Sequence, residues 1–215
     1  MRLACLFSGG KDSTFAVWYM LSQGHDVELV SVLPEPESLM FHVPNISLVP
    51  LLARAMGLKL STVKASHESE LPALLSLLSS LKVDGVVSGA LASDYQKTRI
   101  EKICHSLGIK SFAPLWHVSP DAYMSALLSA NFKIIFSAVA SDGLDASWLG
   151  RELDQSAVQD LKKLPLHLCG EGGEYETLVL DAPFFKKRLK VTKADKSWDG
   201  SAGELSVDAV LEDKP

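Results

Sequence analysis

No apolar run in the 215 residues approaches the roughly 20 needed to span a bilayer. The LACLF behind Arg2 is too short for the core of an export signal, which predicts a cytoplasmic protein with no membrane partner. Cysteine is scarce: Cys5, Cys104 and Cys169 are odd in number, widely spaced and without a CxxC pair. That pattern argues against a zinc site or a structural disulfide and predicts three reduced, buried thiols. Positive charge is also short. Lys and Arg number 21 against 26 Asp and Glu, for a formal net charge of -5 and a pI near 5.7. A nucleic-acid binder working through a broad basic face is thereby disfavoured, whereas a small local basic patch is not. His25, His67, His105, His117 and His167 have no metal-ligand spacing, and no internal repeat or low-complexity segment is present.

Core material is ample. Hydrophobic residues make up 47% and charged residues 22%, enough for one large domain or two small ones. The first half alternates strand and helix patterns. Residues 3–7, 27–33, 59–65 and 85–90 predict strands, and 110–116 a strand or extended segment. Residues 12–23, 48–57, 70–82 and 93–108 predict helices, with Ser93 and Gln96 forming a capping-box pattern and Gly57 and Gly108 as stops. Apolar strands alternating with helices predict an α/β fold: a parallel, doubly wound, Rossmann-like sheet that binds ligands beyond the carboxyl ends of its strands. The second half differs. A helix over 121–131, a strand over 133–141, a helix near 154–164 and a hairpin turning at 199–203 predict a smaller α+β region. The boundary falls near 116–120, dividing the chain into residues 1–117 and 118–215.

One segment asks for a ligand. SGGKDS, Ser8 to Ser13, joins the first predicted strand to the first helix. Gly9 and Gly10 allow close backbone approach, and the helix N-terminus offers free amides and the positive end of its dipole. Ser8 and Ser13 add hydroxyls and Lys11 a point charge, so the loop suits phosphate. It is not a Walker A loop, because Cys5 stands where the first glycine belongs and Asp12 follows the lysine. Far along the chain, GEGGEYET gathers Glu171, Glu174 and Glu176 around Gly172 and Gly173.

SGGKDS resembles the pyrophosphate loop, written SGGxDS, of the PP-loop ATP pyrophosphatases, which share a Rossmann-like (HUP) nucleotide fold. Three further stretches follow in order: MFHVPN (40–45), GALASDYQKTRIEKICHSLGIKSFAPLW (89–116) and GEGGEYETLVLDAPFF (170–185). Together they make the chain similar to the diphthine–ammonia ligase family, in its compact archaeal-type form. The resemblance implies a reaction in which ATP with Mg²⁺ activates a diphthine carboxylate of translation elongation factor 2 as an acyl-adenylate. Pyrophosphate leaves, ammonium supplies the nitrogen, and AMP is released. Free ammonium is expected, since no glutaminase-like nucleophile is evident.

The same resemblance assigns residues. Ser8, Gly9, Gly10, Lys11, Asp12, Ser13, Ser88 and Gly89 hold the nucleotide, and Asp12 also serves Mg²⁺. Asp12, Glu171 and Glu174 are the catalytic candidates. His42, Asn45, Asp94, Tyr95, Gln96, Arg99, Glu171, Gly172, Gly173, Glu174, Tyr175 and Glu176 lie on the substrate side, with His42 and Asn45 in a lid-like loop. A trimethylammonium group donates no hydrogen bond, so the faces of Tyr95, Trp116, Tyr175 and Phe184 and nearby carboxylates suit it. Ammonium wants carboxylate acceptors that can also take its proton. Residues 1–117 then form an ATP-binding domain and 118–215 a substrate-binding domain, and a homo-oligomer is left open. Two alternatives stand beside this: another PP-loop adenylating enzyme acting on tRNA or a small metabolite, and a non-catalytic nucleotide-binding module.

Overall fold

The computed structural model describes residues 1–34 and 45–214. The first sheet is built from short apolar strands: β1 (Arg2–Leu6), β2 (Asp26–Pro34), β3 (Leu60–Ala65), β4 (Gly85–Val87) and β5 (Lys110–Phe112). All pair in parallel, in the order β3-β2-β1-β4-β5. Parallel neighbours need long crossovers, which α1 (Lys11–Ser22), α2 (Val49–Met56), α3 (Glu70–Ser80) and α4 (Asp94–Leu107) supply. The strand period of two decides which side chain meets which helix. Leu3 and Cys5 of β1 join a core with Phe15 and Val17 of α1 and Leu52 of α2. Ala4 turns the other way, to Leu74 and Leu78 of α3 and Ile100 and Ile103 of α4. The strand order reverses between β1 and β4, which makes the crevice beyond their carboxyl ends the switch point of the sheet.

Two strands are shorter than the sequence predicts. The chain leaves the ladder after Val87 and after Phe112. After Val87 the backbone swings onto the first turn of α1, where Gly89 lies in contact with Asp12 and Ser13, and no partner strand remains. A buried carboxylate sits on β2. Glu28 accepts from Arg2 Nη2 at 2.6 Å, Lys59 Nζ at 2.9 Å and Ser61 Oγ at 2.7 Å. It lies just beneath the surface, sealed by the side chains of Arg2 and Lys59. Burial alone would push its pKa up, but the hydrogen bonds from Ser61, Lys59 and Arg2 outweigh it and bring the carboxyl down to about 2.

The second half forms α5 (Pro120–Ser129), β6 (Lys133–Val139), α6 (Gln155–Leu161), β7 (Tyr175–Asp181), β8 (Lys187–Trp198) and β9 (Gly203–Asp213). Its sheet is antiparallel, in the order β7-β6-β9-β8. The expected hairpin is β8–β9, its turn closed by Asp199 Oδ1, which accepts from the Ser201 and Ala202 N–H groups at 2.8 Å each. The outer edge, β8, is mostly exposed and carries Lys187, Lys190, Lys193 and Lys196, a charge pattern that discourages edge pairing. One hydrophobic cluster runs from Leu3 and Leu29 of the parallel sheet through Tyr123 and Phe136 to Leu178 and Leu205, so the two sheets share a core. Among the described residues no helix is long and apolar enough to cross a membrane.

Candidate active site

SGGKDS runs straight from β1 into α1. Gly9 has a φ of +89°, a conformation that favours glycine, and a Cβ there would also lie 2.7 Å from the terminal Cδ1 of Leu52. Gly10 caps α1 without any side-chain cap, which leaves first-turn amides for an outside anion. The Lys11 N–H is the exception and donates to Thr177 Oγ1 at 3.1 Å. The loop closes on itself where the Ser8 N–H donates to Ser13 Oγ at 3.3 Å and the two hydroxyl oxygens lie 3.2 Å apart. β7 runs along its back, with the Val179 N–H donating to Gly9 O at 3.0 Å. Ser88 is buried beside the loop, and a Cβ on Gly89 would stand 2.8 Å from Asp12 C and Ser13 N. The nucleotide candidates from both loops therefore converge.

Lys11 does not point where the sequence placed it. Its side chain is only 4% exposed, and Nζ donates to Cys169 O at 2.6 Å and Asp12 Oδ2 at 2.9 Å. It sits 5.1 Å from the centre of the Tyr175 ring. Burial works against its charge, but the adjacent Asp12 carboxylate prevails and holds the lysine pKa above its ordinary range. The other Asp12 oxygen accepts from Tyr123 Oη at 2.8 Å. Asp12 thus faces the crevice half-exposed, each oxygen carrying one hydrogen bond and keeping further acceptor capacity.

The GEGGEYET turn comes up beside it. Glu171 Oε2 accepts from the Ala92 N–H at 3.0 Å, joining this turn to the loop after β4. Glu174 has a different task from the expected one. Its two oxygens accept from the backbone N–H groups of His167 and Gly172, at 2.8 Å each. Burial would raise its pKa, but those bonds more than offset that and leave it lowered, so Glu174 braces the turn as a fixed anion. His167 helps, its Nδ1 accepting from the Cys169 N–H at 3.3 Å. Glu176 reaches solvent yet is closely surrounded by protein. That crowding pushes its carboxyl above the ordinary range; Lys11 opposes the shift, and Asp12 and Glu171 add to it. Asp12, Glu171 and Glu176 therefore share one neighbourhood.

Other expectations are corrected. Tyr175 is 3% exposed, with the edge of Phe136 and the Lys11 ammonium against its ring and its hydroxyl on Leu168 O at 2.7 Å. It is a core residue whose face is already taken. Asn45, at φ +65°, spends its amide on β9: Nδ2 donates to Leu205 O at 2.9 Å and Oδ1 accepts from the Val207 N–H at 2.8 Å. Both ends of its amide clamp a strand of the second sheet. His42 lies outside the described residues. Phe184 follows the far end of β7, some seven residues of strand, or about 20 Å, from the turn.

At the start of α4, Ser93 Oγ accepts from the Gln96 N–H at 3.4 Å, as the capping pattern predicts. Asp94, Tyr95 and Gln96 are exposed there. The Arg99 guanidinium lies 3.5 Å from the centre of the Tyr95 ring. Lys97 pairs with Glu101 at 2.7 Å and lies 5.0 Å from the Trp116 ring. Sequence reasoning missed Tyr123, Thr177, and the Cys169 carbonyl. Thr177 sat inside a quoted motif, but Tyr123 looks like any apolar helix position, and a carbonyl has no side-chain signal. The three thiols are buried, and burial pushes Cys5 and Cys169 up to about 12, which keeps them protonated and unreactive. Among the described residues no group of three or more His, Cys, Asp or Glu is placed to hold a metal ion. The donor set fits a cation held by one carboxylate with phosphates and water, as Mg²⁺ commonly is, and does not fit an all-protein cage.

The chain matches the family model for the diphthamide synthase N-terminal domain over residues 1–111 and for its C-terminal domain over 119–212. It is 35% identical to the diphthine–ammonia ligase of Schizosaccharomyces pombe, covering 100% of this chain and 40% of that protein. It is also 35% identical to the diphthine–ammonia ligase of Bos taurus, covering 91% of this chain and 84% of the other. A crystal structure described as a predicted subunit of tRNA methyltransferase from Methanocaldococcus jannaschii aligns with a TM-score of 0.50 at 18% identity. It covers 85% of this chain and 98% of that one, and shares the fold.

Proposed function

This chain belongs to the diphthamide synthase family, and from that premise we propose that it is a diphthine–ammonia ligase acting on translation elongation factor 2 in the cytoplasm. The diphthine carboxylate attacks the α-phosphorus of ATP, and pyrophosphate leaves as the acyl-adenylate forms. Ammonia then attacks the acyl carbon, AMP departs, and the carboxylate has become an amide.

The observation that carries this reading is the meeting of SGGKDS and GEGGEYET at the switch point of the sheet. The uncapped start of α1, with Ser8, Gly9, Gly10 and Ser13, suits the departing pyrophosphate. Ser88 and Gly89 form the adjoining wall. Asp12 is the residue that would hold Mg²⁺, which when bound neutralises developing phosphate charge. Glu171 and Glu176 are the carboxylates that take ammonium and its proton, while Glu174 keeps the turn in shape. Exposed Asp94, Tyr95 and Gln96 line the route by which the trimethylammonium side chain enters; Arg99 stacks on one face of the Tyr95 ring, so the opposite face and the Asp94 carboxylate are what suit the cation. On this reading residues 1–117 bind ATP and 118–215 contribute the substrate side.

The test is to incubate the protein with ATP, Mg²⁺, ammonium and diphthine-bearing elongation factor 2, then weigh the modified peptide and separate the nucleotides. An acid-to-amide mass change with AMP and pyrophosphate is expected. ADP as the product, or ATP bound with no change in the peptide, would sink it.

A further inference from the structure

We infer that Tyr123 and Lys11 are positioning residues that lock the Asp12 carboxylate from opposite sides, and that Lys11 acts beneath the phosphate loop and not on the phosphates. This rests on the reading of SGGKDS as the nucleotide loop. The Tyr123 side chain is 1% exposed on α5, and its hydroxyl donates to Asp12 Oδ1 at 2.8 Å. Its ring meets Phe15 of α1 edge-on, 5.2 Å between centres, so the phenol cannot swing away. Lys11 Nζ holds Oδ2 at 2.9 Å and is itself anchored on Cys169 O at 2.6 Å.

Two donors on two oxygens fix both the plane and the tilt of a carboxylate, and its remaining lone pairs are left for a cation on its partly exposed side. The phosphate loop is thereby tied to two segments far along the chain: α5 through Tyr123, and the turn before GEGGEYET through Cys169. A lysine tied down in this way also lends its charge to the carboxylate neighbourhood without spending it on a ligand. Packing alone needs only the Tyr123 ring. The hydroxyl, whose single partner among the described residues is Asp12, is the part that positioning requires.

The experiment replaces that hydroxyl by Tyr123→Phe, which keeps the ring, with Lys11→Gln as a second variant. Mn²⁺ stands in for Mg²⁺, and its affinity is read by electron paramagnetic resonance of free Mn²⁺ in the presence of a non-hydrolysable ATP analogue. Melting temperature and metal-free nucleotide binding are recorded beside it. Loss of an outer partner of a metal ligand typically costs 10- to 100-fold in affinity, and phosphates share this ion, so a loss of about tenfold is expected for Tyr123→Phe. Its melting temperature falls by no more than the loss of one hydrogen bond explains, and its metal-free nucleotide binding falls far less than its Mn²⁺ affinity. Mn²⁺ affinity equal to wild type in both variants, or a fall in melting temperature alone, would overturn the inference. A wild-type protein that binds no Mn²⁺ with the analogue would overturn the nucleotide reading itself, and this lock with it.

Discussion

Gly89→Ala tests whether the loop after β4 and the first turn of α1 form one rigid cradle. A methyl at this position would lie 2.8 Å from Asp12 C and Ser13 N, and 2.9 Å from Asp12 O. All three are backbone atoms, so no side chain can rotate out of the way. Non-bonded carbon atoms rest at about 3.5–4.0 Å, which means the two segments must separate by roughly 0.7 Å or more. The far side of the loop is close-packed as well, because a Cβ on Gly10 would be 3.3 Å from Thr177 O, a backbone atom. Overpacking of this kind costs about 1–3 kcal/mol of stability. A misplacement near 1 Å of a positioning loop costs on the order of a hundredfold in rate. The variant should therefore melt measurably lower and, in the proposed reaction, release pyrophosphate tens to a hundred times more slowly by these magnitudes. Melting is followed by calorimetry, and release by a coupled phosphate assay with diphthine-bearing substrate. Wild-type melting together with wild-type pyrophosphate release would refute the cradle.

Asn45→Ala should cost about 2–4 kcal/mol in urea unfolding, since it strips two partners from the β9 backbone and leaves alanine at positive φ; a loss under about 0.5 kcal/mol would deny the clamp. Glu174→Gln puts an amide NH₂ against a backbone N–H, so the GEGGEYET turn loosens and KM for the protein substrate rises more than kcat falls. Glu171→Gln should instead strike kcat, and steady-state kinetics separate the two. Glu28 ties stability to acid: its carboxyl goes from an ordinary 4.5 to about 2 on folding. A depressed acid contributes above its unfolded pKa and loses that contribution as pH falls toward the folded one. About 2–3 kcal/mol should thus vanish between about pH 4.5 and pH 2, and Glu28→Gln should flatten that part of a pH–melting curve.

The parallel sheet was legible because its signal is local. An apolar run of five or six residues bounded by a helix with a glycine stop can mean little else, and β1, β2, β3 and the helices after them lie within a few residues of where periodicity puts them. The position of SGGKDS between β1 and α1 was legible for the same reason, since strand, glycines and helix adjoin in sequence. The direction of each side chain was not. Lys11 reads as a phosphate ligand because it stands in a phosphate loop, yet its ammonium is claimed by Cys169 O, 158 residues away. Asn45 reads as a lid residue because prolines surround it, yet β9 claims its amide from 160 residues away. Glu174 and Glu176 are two positions apart in one motif. One is consumed by backbone N–H groups and the other reaches solvent, a division set by the turn and not by residue type. In each case the deciding partner is a main-chain group: Cys169 O for Lys11, Leu205 O and the Val207 N–H of β9 for Asn45, and the His167 and Gly172 N–H groups of its own turn for Glu174. Main-chain groups have the same chemistry everywhere, so no residue pattern announces them. What a motif can announce is the set of charges brought to one place. Which of those charges are spent on holding the place together, and which are left for chemistry, depends on the packing of β7 against the phosphate loop.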